Sequence, residues 1–171
     1  MIWPFATRDH LLASAALYPI LPAERALIER YEAVWRRNQG PCLTKDDLLA
    51  TVDWKSSLGQ TRKLCNLNSD DDIKQITRAA LTAECERLRI GVLLALDGVA
   101  WPIASVILHF AFAYDANGFP VFDKRAMKAV QSDTKYSNGR WTEYTMLCRR
   151  YAKDWAVDMR TIDRALWIKG A

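Results

Sequence analysis

Apolar residues recur along the chain at spacings of three and four, and strand-like alternation is nearly absent, so the pattern predicts helices almost throughout. Residues 8–17 read as a short first helix. Pro22 stands where the first turn of a second would begin, and Ala26, Tyr31, Val34 and Trp35 continue it at helical spacing until Gly40 and Pro41 stop it. Thr44 is placed to cap KDDLLATVDW, with Asp46 and Asp47 in the first turn, where the helix dipole favours acids. Residues 55–68 read as a loop or a broken helix. Ser69 before Asp70, Asp71 and Asp72 is a strong helix start, and this helix is expected to run to Leu88. Consecutive aspartates project in different directions around a helix, so the cap explains them better than a metal site does.

From Ile90 the chain becomes strongly apolar. Two helical segments, about 88–96 and 102–113, flank a tight turn at Asp97-Gly98-Val99-Ala100-Trp101, with Pro102 at the first position of the second helix. A loop containing Asn117-Gly118 follows, then a basic helix from Asp123, a turn at Ser137-Asn138-Gly139, and two closing helices over 141–157 and 159–170. The fold class is therefore all-α, a bundle of about seven to nine helices. No repeat or linker divides the chain. Residues 1–171 read as one compact domain, or as two lobes made of 1–50 with 140–171 and of 51–139.

Composition narrows the chemistry. The 171 residues, half of them apolar and 26% charged, suit a soluble globular domain with a substantial core. The seven glycines never form a GxGxxG or Walker arrangement, which excludes nucleotide-cradling loops. Residues 1–123 hold 13 basic and 15 acidic side chains, whereas 124–171 hold 11 and 5, so the net +4 gathers at the end of the chain. Such a segment suits a polyanionic partner, and equally a solvated Lys/Arg-rich helix face. Cys42, Cys65, Cys85 and Cys148 are spaced too irregularly for a zinc or iron-sulfur site and read as reduced core thiols of a cytoplasmic protein. His10 and His109 cannot make a histidine-rich metal site, and no metal is expected. Arg8, Asp9 and His10 interrupt the apolar N-terminus, so neither a signal peptide nor a membrane span is expected. Hydrolase elbow, HExxH and deaminase motifs are missing.

The string Leu96-Asp97-Gly98-Val99-Ala100-Trp101-Pro102-Ile103-Ala104 resembles the LPGVGxxTA helix-hairpin-helix signature of the DNA glycosylase superfamily that includes endonuclease III and 8-oxoguanine glycosylase. The family's conserved aspartate opens a helix about two dozen residues further on, and Val121-Phe122-Asp123-Lys124-Arg125 occupies that place here. The resemblance covers about 88–130. It implies a hairpin that holds double-stranded DNA through Gly98, Val99, Ala100, Trp101 and Ala104. A glycine turn admits a phosphate closely, and the N–H groups at the next helix start face it. It also implies that Asp123 is the catalytic carboxylate, stabilising positive charge at the sugar C1′ or orienting a water that attacks there. Asp123 is equally suited to be the N-cap of KRAMKAV, and the two roles are compatible. Lys124 and Arg125 become phosphate ligands or remain solvent-exposed.

The departures from the family pattern matter. Ala100 replaces the hairpin's second glycine. Pro102 stands where bifunctional members carry the Schiff-base lysine, and no lysine occurs between 75 and 123, so the expected enzyme is monofunctional, with water as nucleophile. Arg125 replaces the family's histidine, and its iron-sulfur cysteines have no counterpart. The segment matching the family's base-flipping loop contains Trp54, Lys55 and Ser56; Trp54 would stack on a base, although an ordinary core aromatic is the first reading. No cofactor is expected, though the hairpin leaves room for a monovalent cation. The alternative is a helix-hairpin-helix module that binds DNA or protein without catalysis.

Overall fold

The computed structural model describes residues 1–38, 40–113 and 117–171. Among them are ten α-helices and no strand: α1 (Arg8–Ala16), α2 (Pro22–Val34), α3 (Lys45–Lys55), α4 (Gly59–Cys65), α5 (Asp70–Thr82), α6 (Glu86–Leu93), α7 (Trp101–Ala111), α8 (Lys124–Ala129), α9 (Asn138–Asp154) and α10 (Met159–Lys169). The all-α class expected from periodicity holds. The stretch 55–68 contains α4, in keeping with a broken helix rather than a loop. Two elements differ from expectation. The helix begun at Ser69 stops at Thr82, and Cys85 becomes the N-cap position of α6 instead of lying within one helix. Ser137-Asn138-Gly139 is not a turn but the start of α9: the Ser137 side chain accepts from the Arg140 N–H, the same chemistry that makes serine common in turns.

Elsewhere the caps fall where the sequence places them. Thr44 and Asp47 form a reciprocal capping box, and Ser69 accepts from the Asp72 N–H. Pro22 opens α2, which already ends at Val34, ahead of Gly40.

The chain forms two compact units, residues 1–19 with 112–171 and residues 20–111, with boundaries away from the 50/51 and 139/140 divisions expected for two lobes. In the first unit, α10 packs against α1, α8 and α9. Trp141, Tyr144, Cys148 and Ala152 lie on one stripe of α9 and are fully buried, as are Ile162 and Leu166 of α10. Arg160 pairs with Asp163 at 3.0 Å in this interior, and the other Asp163 oxygen accepts the Val121 N–H at 3.1 Å, so the buried carboxylate is matched by donors.

In the second unit, α7 is the central element. Every residue from Ile103 to Phe110 is buried, and α2, α3 and α6 pack on it. Tyr31 and Thr51 share a 2.9 Å hydrogen bond across α2 and α3, and Thr77 of α5 accepts the Leu43 N–H at 2.9 Å. This unit carries 12 basic and 12 acidic residues and is formally neutral. The first carries 12 and 8, so the excess positive charge belongs to it.

Candidate functional site

The hairpin of the second unit is built from inside. Gly98 has φ +77°, the conformation required at the third position of a type II turn, and the Val99 N–H closes that turn on the Leu96 carbonyl at 3.1 Å. A Cβ on Gly98 would lie 2.7 Å from the Cys65 N, 2.8 Å from its Sγ and 2.8 Å from the Leu64 Cβ. The close approach that this glycine permits is therefore used by α4. Asn68, only 8% exposed, clamps the same loop: its amide donates to the Cys65 and Asp97 carbonyls at 2.9 and 3.0 Å, and its Oδ1 accepts the Asp97 N–H at 2.9 Å. Burial, and then the nearby Asp97 charge, push the Cys65 thiol up to about 11, so it stays protonated and inert at neutral pH.

Cys65 is buried, as its reading as a core thiol has it, but the contact that Leu64, Cys65 and Asn68 make with the hairpin was not legible, because 55–68 reads only as a loop or a broken helix. The visible signal was Asn68 just before the Ser69 cap, a residue that bonds backbone well where helices end.

The expected hairpin contacts divide. Ala100 is exposed and Trp101 half-buried, whereas Val99 is 5% exposed and Ala104 fully buried. The Val99 N–H is spent in the turn, and the Ala104 N–H goes to the Ala100 carbonyl at 2.9 Å. Leu96, Val99 and Ala104 anchor the hairpin, Gly98 packs on α4, and exposed Ala100 with half-buried Trp101 forms the outer edge. Trp54 is half-buried and packs its ring edge-on against Phe110, with 4.9 Å between ring centroids. Lys55 and Ser56 end α3, where the Ser56 N–H bonds the Val52 carbonyl at 2.8 Å.

In the first unit, Asp123 caps α8. It is half-buried, and its Oδ1 accepts the Ala126 N–H at 2.8 Å, which fixes the carboxylate against the backbone. Tyr136 and Tyr144 lie within its field: burial pushes both phenols up, joined at Tyr136 by the Asp123 charge and at Tyr144 by Cys148, Asp163 and then Asp123. Phe122 beside it is fully buried against Tyr136, Trp141 and Tyr144. Lys124 is exposed, but the Arg125 guanidinium lies 3.8 Å over the Trp167 ring. Other cations of the basic segment are similarly engaged. Arg149 donates to the Gly118 carbonyl and covers Phe119, and Arg164 stands over Tyr18.

Comparison with protein-family models, curated proteins and solved structures gives no match. Among the described residues no group of three or more His, Cys, Asp or Glu side chains is placed to hold a metal ion, and no helix is long and apolar enough to cross a membrane.

Proposed function

We propose that the protein binds double-stranded DNA and hydrolyses the N-glycosidic bond of a damaged or modified base, with Asp123 as the carboxylate at the reacting carbon. The observation that carries this reading is the hairpin. It combines a left-handed Gly98, inward Leu96, Val99 and Ala104, and an exposed Ala100 at the head of α7, in the order of the glycosylase signature. The positive charge of the unit containing Asp123 supports it, since a polyanion binds largely through charge.

In this chemistry the C1′–N bond breaks with its electron pair leaving on the base, and positive charge grows on the sugar. A carboxylate held by the Ala126 N–H stabilises that charge without reorganising and accepts a proton from the water that attacks C1′. With Pro102 at the lysine position, the product is an abasic site and no Schiff base forms.

The test is base release from a panel of duplexes carrying uracil, oxidised purines or alkylated purines. Asp123→Asn should lower release at least about a hundredfold while leaving the melting temperature nearly unchanged, because asparagine also caps helices. Wild-type protein that releases no base from any duplex overturns the enzyme reading.

A second reading, DNA or protein binding without catalysis, is favoured by the capping bond of Asp123, which gives that residue a structural task of its own. Affinity for an unmodified duplex that falls steeply with salt, without base release, would establish its DNA-binding form. Affinity indifferent to salt would remove DNA from both readings.

A further inference from the structure

A cavity of about 310 Å³ opens in the second unit, between the end of α2 and the starts of α3 and α5, lined by Arg37, Asn38, Cys42, Thr44 and Lys74. It takes no part in the hairpin chemistry. Its described walls hold two cations, a hydroxyl, an amide and a thiol, and no carboxylate.

Both cations are fixed in place. Arg37 donates to the Cys42 carbonyl and to Asp47 Oδ2, the latter at 2.6 Å; Lys74 pairs with Asp70, which also accepts the Lys45 N–H at 2.9 Å. Asp47 is itself buried and held by the Thr44 N–H and hydroxyl at 2.9 and 2.8 Å. A guanidinium has five donors and an ammonium three, so these pairs orient the cations without exhausting them. Behind the wall a third cation, Arg78, places Nη2 3.7 Å from Cys42 Sγ, and its buried Nε has no hydrogen-bond partner among the described residues. Arg78 thus adds a positive charge beside the Arg37–Asp47 and Lys74–Asp70 pairs, and Arg30 shares Asp47 through its other carboxylate oxygen at 3.4 Å.

We infer that this cavity is a binding site for a phosphate group, gripped by Arg37 and Lys74. A tetrahedral oxyanion offers acceptors on all sides, and a guanidinium from the segment after α2 and an ammonium from α5 match it where a neutral ligand would leave the charges unmet. The group is either a free phosphate or phosphate monoester, or a phosphodiester of a nucleic-acid strand. The inference does not rest on base release, which is read at Asp123.

The test is a titration of the full-length, isotope-labelled protein, followed by amide NMR shifts, with sodium phosphate replacing sodium chloride at constant ionic strength. Saturable shifts confined to residues 37–44 and around Lys74 are expected. Two variants make the site one charge more negative without touching the Arg37–Asp47 pair: Lys74→Gln, which removes a cation from a half-buried side chain, and Asn38→Asp, which adds an anion on an exposed one, should each weaken phosphate binding about tenfold. A parallel titration with a short oligothymidylate separates the sources. Shifts at the same residues with the oligonucleotide point to a diester, and shifts with inorganic phosphate alone point to a free phosphate or monoester. Unchanged spectra with both probes, or variants that bind as tightly as wild type, overturn the site.

Discussion

The two units turn left-handed corners with different residues. The unit made of residues 20–111 uses glycine, with Gly40 at φ +83° and Gly98 at φ +77°; the other unit uses Gln131 at φ 53° and Ala156 at φ 48°. Gln131 follows α8 and Ala156 follows α9, and both sit in a Schellman cap: the Ser132 and Val157 N–H groups reach back to the Met127 and Ala152 carbonyls at 2.9 and 3.0 Å. A side chain in that conformation costs about 1 kcal/mol that glycine avoids. Gly98 has a second constraint, contact with α4, that neither Gln131 nor Ala156 shares. The comparison separates two uses of glycine, freedom of φ and absence of a Cβ.

Gly98→Ala meets both constraints and should destabilise by about 3 kcal/mol or more, read as a fall in the denaturation midpoint. Gly98→Asn sharpens the comparison, because asparagine tolerates the left-handed region but still carries a Cβ. It should cost nearly as much as alanine; near-wild-type stability would mean that φ alone demands glycine and that α4 yields easily.

Gly170 isolates the other constraint. Its φ is −90°, yet a Cβ there would lie 2.1 Å from the Arg125 carbonyl oxygen. Gly170→Ala should cost about 2 kcal/mol by forcing α8 and the end of α10 apart, with no help from a residue suited to positive φ.

Asp47 gives the second unit an acid-sensitive anchor that can be read without altering any glycine. Burial alone would raise its carboxyl, but the Thr44 N–H and the Arg37 guanidinium outweigh burial and hold it below the usual carboxylate range. Its stabilisation is thus complete above the unfolded value, about 4, and is lost as pH falls through the lower folded value. Asp47→Asn should flatten that acid limb in denaturation curves measured between neutral and acidic pH. An unchanged pH profile would deny Asp47 that role.

The smallest effect expected is a gain. Ala156→Gly should stabilise by about 0.5 kcal/mol, the relief of left-handed strain being partly offset by the freer unfolded chain. A loss would show that the Ala156 methyl makes contacts worth more than the strain.

Much of the helical framework was legible because its signals are local. Pro22, the Thr44 capping box, Ser69 before three aspartates, the Gly98 turn and the Asp123 cap each act through bonds within four residues, which a linear pattern records. Helix ends without glycine were harder. Nothing in the sequence around Val130-Gln131 or Trp155-Ala156 announces a left-handed residue, and Ser137-Asn138-Gly139 has the composition of a turn although it starts a helix. The candidate site divides in the same way. Gly98 and Asp123 could be named from the resemblance of their strings to the glycosylase signature, but Arg125 on Trp167, and the contacts of Leu64, Cys65 and Asn68 with the hairpin, could not.

The sequence by itself determined that this protein is helical, where most of its helices begin, and that a glycine turn and a capping aspartate follow one another there, because hydrogen bonds and periodicity over a few residues decide those features. Tertiary structure alone decided what the turn packs against, which cations of the basic segment lie on aromatic rings, and that Arg37 and Lys74 meet at one cavity. Those outcomes depend on contacts between residues dozens of positions apart, and only packing chooses among them.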